Sequence, residues 1–350
     1  MAARITFKKI DIENTFLDPR QDFQPIVVKS QVRFDPLTGR TGHFSHFGAI
    51  KPQQLDLEKY LDPPVKGFCP FCGARREVQT PKFPREIIAE GRLTRGEALL
   101  VPNLYPYDIY SSVCIMTRAH VVPLDQFSYK ILLDSFTIGL EFLKRVKVIG
   151  TPLPYHIMGW NYMPPSGGGL VHPHQQYFAT KHPGNQFADE LRASELFYRS
   201  YQIDYWQEMV NIEQKNDERY IGQLGGSHWL TSYVALGMLG EIICVFPGVY
   251  CIDDFRSANI SELVSGIQKI FSYYSKKGIY SFNASLFFGP EGQRFFPAHF
   301  RIVPRTFLNT RDYAPDLNFF QAVLQEPVSV VLPEDLCLEV KSFFRAYGRP

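Results

Sequence analysis

HIMGWNYMPPSGGGLVHPHQQ, residues 156–176, is the stretch on which the reading of the fold turns. His156 to Met163 is a β-type run, Pro164-Pro165-Ser166-Gly167-Gly168-Gly169 breaks regular structure, and His172-Pro173-His174-Gln175-Gln176 resumes extended chain. Residues two apart on a strand face the same side, so His172 and His174 converge on one place, and Pro173 removes a ladder donor and implies an edge or irregular strand. The glycines let backbone approach a ligand closely and can present amides to phosphate oxygens. A flexible loop beside a proline-kinked strand has the same spacing.

Outward from this stretch, Glu97 to Pro102 and Ser112 to Met116 are short apolar strands. Leu132, Phe136, Leu140, Leu143 and Val146 recur at helical steps within Asp125 to Val148. A second helix is expected over 188–214. Strands then follow at Trp229–Ala235 and Glu241–Pro247, a helix at Ile260–Tyr274, and strands at Tyr280–Phe288 and Phe295–Val303. The chain thus predicts an α+β protein with a duplicated strand-strand-helix-strand-strand unit, repeats 1–215 and 216–350, joined at Gln214-Lys215-Asn216-Asp217-Glu218. Up to about residue 95 the turn-rich, proline-rich sequence predicts loops and short strands.

The 350 residues suffice for a substantial core, and 45% hydrophobic content is ordinary for a globular protein. With 37 basic against 35 acidic residues the formal charge is +2, which gives no electrostatic footprint for nucleic acid or an anionic membrane surface. The absence of a bilayer-length apolar stretch and of a signal-peptide core leads to the expectation of a cytoplasmic protein with small-molecule partners.

Of six cysteines, Cys114, Cys244, Cys251 and Cys337 lie singly and suit reduced core positions. Cys69-Pro70-Phe71-Cys72 is a C-x-x-C knuckle able to supply half of a tetrahedral zinc site, or a redox pair, or two unrelated thiols. His120 and His172, at ends of strand-like runs, can complete a Cys₂His₂ set.

Together these residues resemble the galactose-1-phosphate uridylyltransferase branch of the histidine triad (HIT) superfamily. The resemblance runs through Arg33-Phe34-Asp35-Pro36-Leu37-Thr38-Gly39, the knuckle, Asn103, Met116-Thr117-Arg118-Ala119-His120, Asn161 thirteen residues before His174, the HPHQQ run, and His228-Trp229. It implies tandem HIT-like repeats, each an antiparallel half-barrel sheet with helices packed on one side, and commonly a homodimer. It also implies that His174 attacks the α-phosphorus of a nucleoside diphosphate sugar and that Gln176 binds the transferred phosphoryl group. Asn161 and Gly167, with Gly168 and Gly169, would line the phosphates, and Asn103 the nucleoside. Cys69, Cys72, His120 and His172 match structural zinc ligands. A backbone carbonyl close to His172 is expected to hold the other ring nitrogen of His174.

Three readings follow: transfer of UMP from a UDP-sugar to a sugar 1-phosphate, AMP transfer or phosphorolysis of an ADP-sugar or dinucleoside polyphosphate, and non-catalytic nucleotide binding. The sequence departs from the family where Gly169 replaces a frequent serine and Leu104 a frequent aspartate. Arg40-Thr41-Gly42-His43-Phe44-Ser45-His46-Phe47 stands in place of a basic run that meets the sugar phosphate. Glu190 and His299, matching two ligands of a second metal site, are expected to form an interior pair.

Overall fold

A computed structural model describes residues 4–45, 48, 50–52, 56–61, 67–149, 153–311 and 313–345; His46 and Phe47 lie outside the described residues. The strands are β1 Lys8–Asp18, β2 Gln24–Phe34, β3 Thr41–Phe44, β4 Leu93–Arg95, β5 Ala98–Pro102, β6 Tyr110–Ile115, β7 Tyr155–Tyr162, β8 His174–Thr180, β9 Tyr220–Leu224, β10 Ser227–Thr231, β11 Ile242–Val245, β12 Ser281–Phe288, β13 His299–Arg305, β14 Phe307–Asn309, β15 Ala314–Pro315 and β16 Val328–Ser329. The helices are α1 Arg75–Val78, α2 Tyr129–Val148, α3 Asn185–Tyr201, α4 Tyr205–Asn216, α5 Ser257–Lys276, α6 Phe319–Ala322 and α7 Pro333–Arg345. No helix among the described residues is long and apolar enough to cross a membrane.

One ten-stranded antiparallel sheet, ordered β4-β5-β6-β8-β7-β12-β13-β11-β10-β9, contains strands from both halves of the chain. The halves meet where β7 and β12 pair from Tyr162↔Phe282 to His156↔Phe288. Period-2 alternation sends Met158, Trp160, Tyr162, Phe282, Ala284 and Leu286 to one face, where they share a core with Leu132, Phe136 and Leu143 of α2 and Leu263, Ile267 and Phe271 of α5. Close approach requires Gly139 in α2 and Gly266 in α5, since a Cβ at either would run into Tyr177 or Trp229.

Three expectations are corrected. The helix expected over 188–214 is two helices, because Gln202 turns left-handed (φ 55°) at the end of α3 and the Asp204 side chain caps α4 by accepting from the Trp206 and Gln207 amides. Helices do not keep to one side: α3 and α4 cover the second face, where Ile157, Leu230, Ile243 and Val245 pack on Phe187, Tyr205, Trp206 and Val210. The N-terminal segment is more than loops and short strands. β1 and β2, eleven residues each, pair over their full length, and β2 pairs with β3, which pairs with β16 in parallel. The β1–β2 ribbon is exposed over most of both faces, so it lacks the burial-driven pattern that marks a core strand.

Candidate functional site

β8 begins at His174 and places His174 and Gln176 on the face away from α2 and α5, opposite Ile115 and Val113 of β6. The Nδ1–H of His174 donates to the His172 carbonyl at 2.8 Å, the arrangement expected from sequence. A carbonyl only accepts, so this bond fixes the tautomer and leaves Nε2 with the lone pair. Burial holds the His174 ring below its ordinary pKa, partly offset by that bond.

His174 is half-buried and lies edge-on to Phe71, with ring centroids 5.6 Å apart. Together with Gln176 it lines a cavity of about 460 Å³ whose walls include Phe71, Val101, Leu104 and Val113, with Gln79, Asn103 and Gly169 supplying further polar or open positions. That size suits a small organic ligand. Among the described lining residues none is an arginine, lysine or carboxylate. A Cβ at Gly169 would meet nothing within 4 Å, so crowding does not require glycine there. Leu104 and Tyr105, which also line the cavity, are exposed.

The knuckle caps β5 and β6: Cys69 and Phe71 pack on Leu99, Val101, Val113 and Ile115. The metal-ligating atoms of Cys69, Cys72, His120 and His172 all lie within 4.8 Å of one another. Cys72 Sγ is 3.2 Å from His120 Nδ1 and 3.4 Å from His172 Nδ1, and Cys69 Sγ is 3.7 Å from His172 Nδ1. A tetrahedral ion with bonds of about 2.3 Å to sulfur and about 2.0 Å to nitrogen separates such ligands by roughly 3.5 Å, so the four side chains can hold a metal. The far nitrogen of His172 bonds the Thr117 carbonyl at 2.9 Å, and burial lowers its pKa to about 4, keeping the ring in the neutral form that ligates.

Asn161 is exposed on β7, two residues beyond Gly159, which pairs with Gln176. It therefore shares the open face with His174, though it does not line the cavity described above. Gly167 closes the Pro164–Ser166 turn with φ 78°, and its amide donates to the Pro164 carbonyl at 2.9 Å. Gly168 sits beside the Asn161 carbonyl.

Sequence reading missed the groups behind Asn161. Asn283 of β12 donates to Asn161 Oδ1 at 2.7 Å and to the Ser166 carbonyl at 2.8 Å, and it accepts from Arg305 at 2.8 Å. Asn283 and Arg305 stand in strand-like runs with no local motif around them, and the pairing of β7 with β12 that brings Asn283 to Asn161 joins strands far apart in the chain. The interior pair expected of Glu190 and His299 is present at 3.5 Å, and Arg301 joins it as a third member that the sequence does not announce. It bonds Glu190 at 2.5 Å and Glu241 at 2.8 Å. Burial opposes Glu190 ionisation, yet Arg301 and His299 hold its carboxyl below the usual range.

No family model matches the chain. An uncharacterized protein of Archaeoglobus fulgidus is 30% identical over 318 residues, covering 90% of this chain and 92% of its own. A GalT-like protein from Arabidopsis thaliana superposes with a TM-score of 0.66 at 16% identity, over 89% of this chain and 98% of that one. An ADP-glucose phosphorylase from Arabidopsis thaliana, solved with bound ADP-glucose, gives the same values. A uridylyltransferase gives 0.63 at 18% identity, over 91% and 99% of the two chains.

Proposed function

Since the chain belongs to one family with the Archaeoglobus fulgidus protein and is a divergent member of the GalT-like fold, we propose that it is a nucleotidyltransferase working through a covalent nucleotidyl-histidine at His174. The observation that carries this is the bond from His174 Nδ1 to the His172 carbonyl at the wall of the cavity. It leaves Nε2 as nucleophile. Nε2 attacks the α-phosphorus, a P–N bond forms, and the P–O bond to the leaving sugar phosphate breaks. An acceptor phosphate oxygen then displaces the histidine, which restores the neutral ring, so kinetics are ping-pong. Gln176, two residues along the same face, donates to the transferred phosphoryl group. Asn161 and Gly167–Gly169 line the phosphates, and Asn103 the nucleoside.

The first reading of the donor is a UDP-sugar with a sugar 1-phosphate as acceptor. The engagement of Arg40 with Gln186, Asp189 and the Gln325 carbonyl, rather than with an open pocket for a sugar phosphate, supports a second, in which AMP passes from an ADP-sugar to the smaller inorganic phosphate. Zinc on Cys69, Cys72, His120 and His172 serves structure, steadying the segment that leads into β8. Two features support reading 1–215 and 216–350 as HIT-like repeats: the strand order is mirrored about the β7–β12 pair, and His299 Nδ1 faces the carbonyl of Pro297, two residues earlier, at 3.3 Å, much as His174 Nδ1 faces that of His172 at 2.8 Å. A homodimer is part of the same reading.

The test is incubation with UDP-glucose, ADP-glucose and GDP-mannose labelled in the nucleotide. Acid-labile label should appear on wild-type protein and not on His174→Ala. Label from none of the donors, or equal label on the variant, refutes the proposal.

A further inference from the structure

Asp316 of the segment after β15 is fully buried and accepts from Arg305 at the end of β13, at 2.8 Å from Nε and 2.6 Å from Nη2. Arg305 Nη1 reaches Asn283 Oδ1, and Asn283 Nδ2 reaches both Asn161 Oδ1 and the Ser166 carbonyl. Every direction in this chain is forced. A guanidinium has only donors, so the atom of Asn283 facing it is the oxygen. The Asn283 nitrogen then faces two acceptors and gives one N–H to each. Flipping the Asn283 amide would set donor against donor at Arg305 and acceptor against acceptor at Ser166.

The consequence falls on Asn161. With Oδ1 occupied by Asn283, its Nδ2 has no hydrogen bond among the described residues and stands on the exposed face that also bears His174. The same Asn283 amide, through the Ser166 carbonyl, ties the Pro164–Gly169 turn to the sheet.

We infer that Asp316, Arg305 and Asn283 are positioning residues that lock Asn161 with its NH₂ group outward, turning an amide of either polarity into a dedicated donor for the phosphate oxygens of a nucleoside diphosphate. This inference rests on the proposed nucleotidyl transfer at His174. The second half of the chain thereby sets the donor geometry of a site whose nucleophile belongs to the first.

The experiment compares the affinities of ADP and UDP with those of adenosine and uridine, for wild type, Asn283→Asp and Arg305→Lys. Asn283→Asp removes the N–H groups that Asn161 Oδ1 and the Ser166 carbonyl accept, so the preference for diphosphate over nucleoside should fall about tenfold or more while nucleoside affinity stays put. Arg305→Lys, which still donates, should stay within about threefold of wild type. An unchanged preference in Asn283→Asp overturns the inference and leaves the function standing, as does loss of nucleoside and diphosphate affinity together. If neither diphosphate binds wild type, the proposed function and this inference both fall. A melting temperature for each variant separates these outcomes from unfolding, and Asn283→Leu supplies a second variant that lacks the donor without adding charge.

Discussion

At the scale of single residues, the histidines of one short run hold different positions. His172 is fully buried and turned to the thiols, whereas His174 is half-buried and turned to a cavity. The difference leads to a prediction. Cys69 is 3% exposed, and burial pushes its thiol up to about 11, so without a metal the group would be a neutral thiol in an apolar pocket. Binding of an ion there is folding free energy. Cys69→Ser, or treatment with phenanthroline, should lower the melting temperature by about 5–10 °C, the equivalent of several kcal/mol. His174→Ala should melt like wild type. Elemental analysis showing less than about half an equivalent of zinc, with melting indifferent to the chelator, would refute the structural site.

At the scale of elements, legibility followed burial. α2, α5 and the strands around them carry apolar residues at helical or alternating spacing because one face of each is packed, and that spacing survives in the sequence. The β1–β2 ribbon has little burial to enforce a pattern. The break between α3 and α4 rests on the left-handed Gln202 and a capping aspartate, with neither glycine nor proline to announce it. The knuckle and the HPHQQ run were legible as candidate sites because their key residues are close in sequence, while the contact from Asn283 to Asn161 spans 122 residues and leaves no local mark.

β7 also carries a titrating group. His156 is 3% exposed, its Nε2 has no hydrogen bond among the described residues, and burial, with help from Lys147, depresses its pKa to about 4. The unfolded chain, with an ordinary value near 6.5, binds more protons between these limits, so stability rises with pH there. His156 therefore contributes stability that is fully present above about pH 6.5 and is lost as pH falls toward 4, with a ceiling of about 3 kcal/mol. Urea unfolding from pH 7.5 down to 4.5 should show a steeper loss for wild type than for His156→Phe. Parallel curves for the two would mean that the ring is protonated in the folded state.

At the scale of the molecule, the chain can be read as two similar halves, yet its energetics point to one unit. The seven residue pairs of the β7–β12 seam, from Phe282↔Tyr162 to Phe288↔His156, replace what would be two sheet edges. Beneath the seam Trp160 of β7 meets Phe282 of β12 edge-on at 4.9 Å and also contacts Phe271 of α5. Above it Arg301 of β13 bonds Glu190 of α3, and far from it Glu334 of α7 bonds both Arg33 of β2 and Arg219. Separating the halves would expose a long strand edge, strip apolar surface from both, and part buried charges such as Glu190 from Arg301 and His299 in the other half, each costly. Calorimetry should therefore give a single transition with calorimetric and van't Hoff enthalpies that agree, even though most chains of this length unfold in steps. Two resolved transitions, or a fragment 216–350 that folds cooperatively alone, would show that the seam is a docking surface between independent domains.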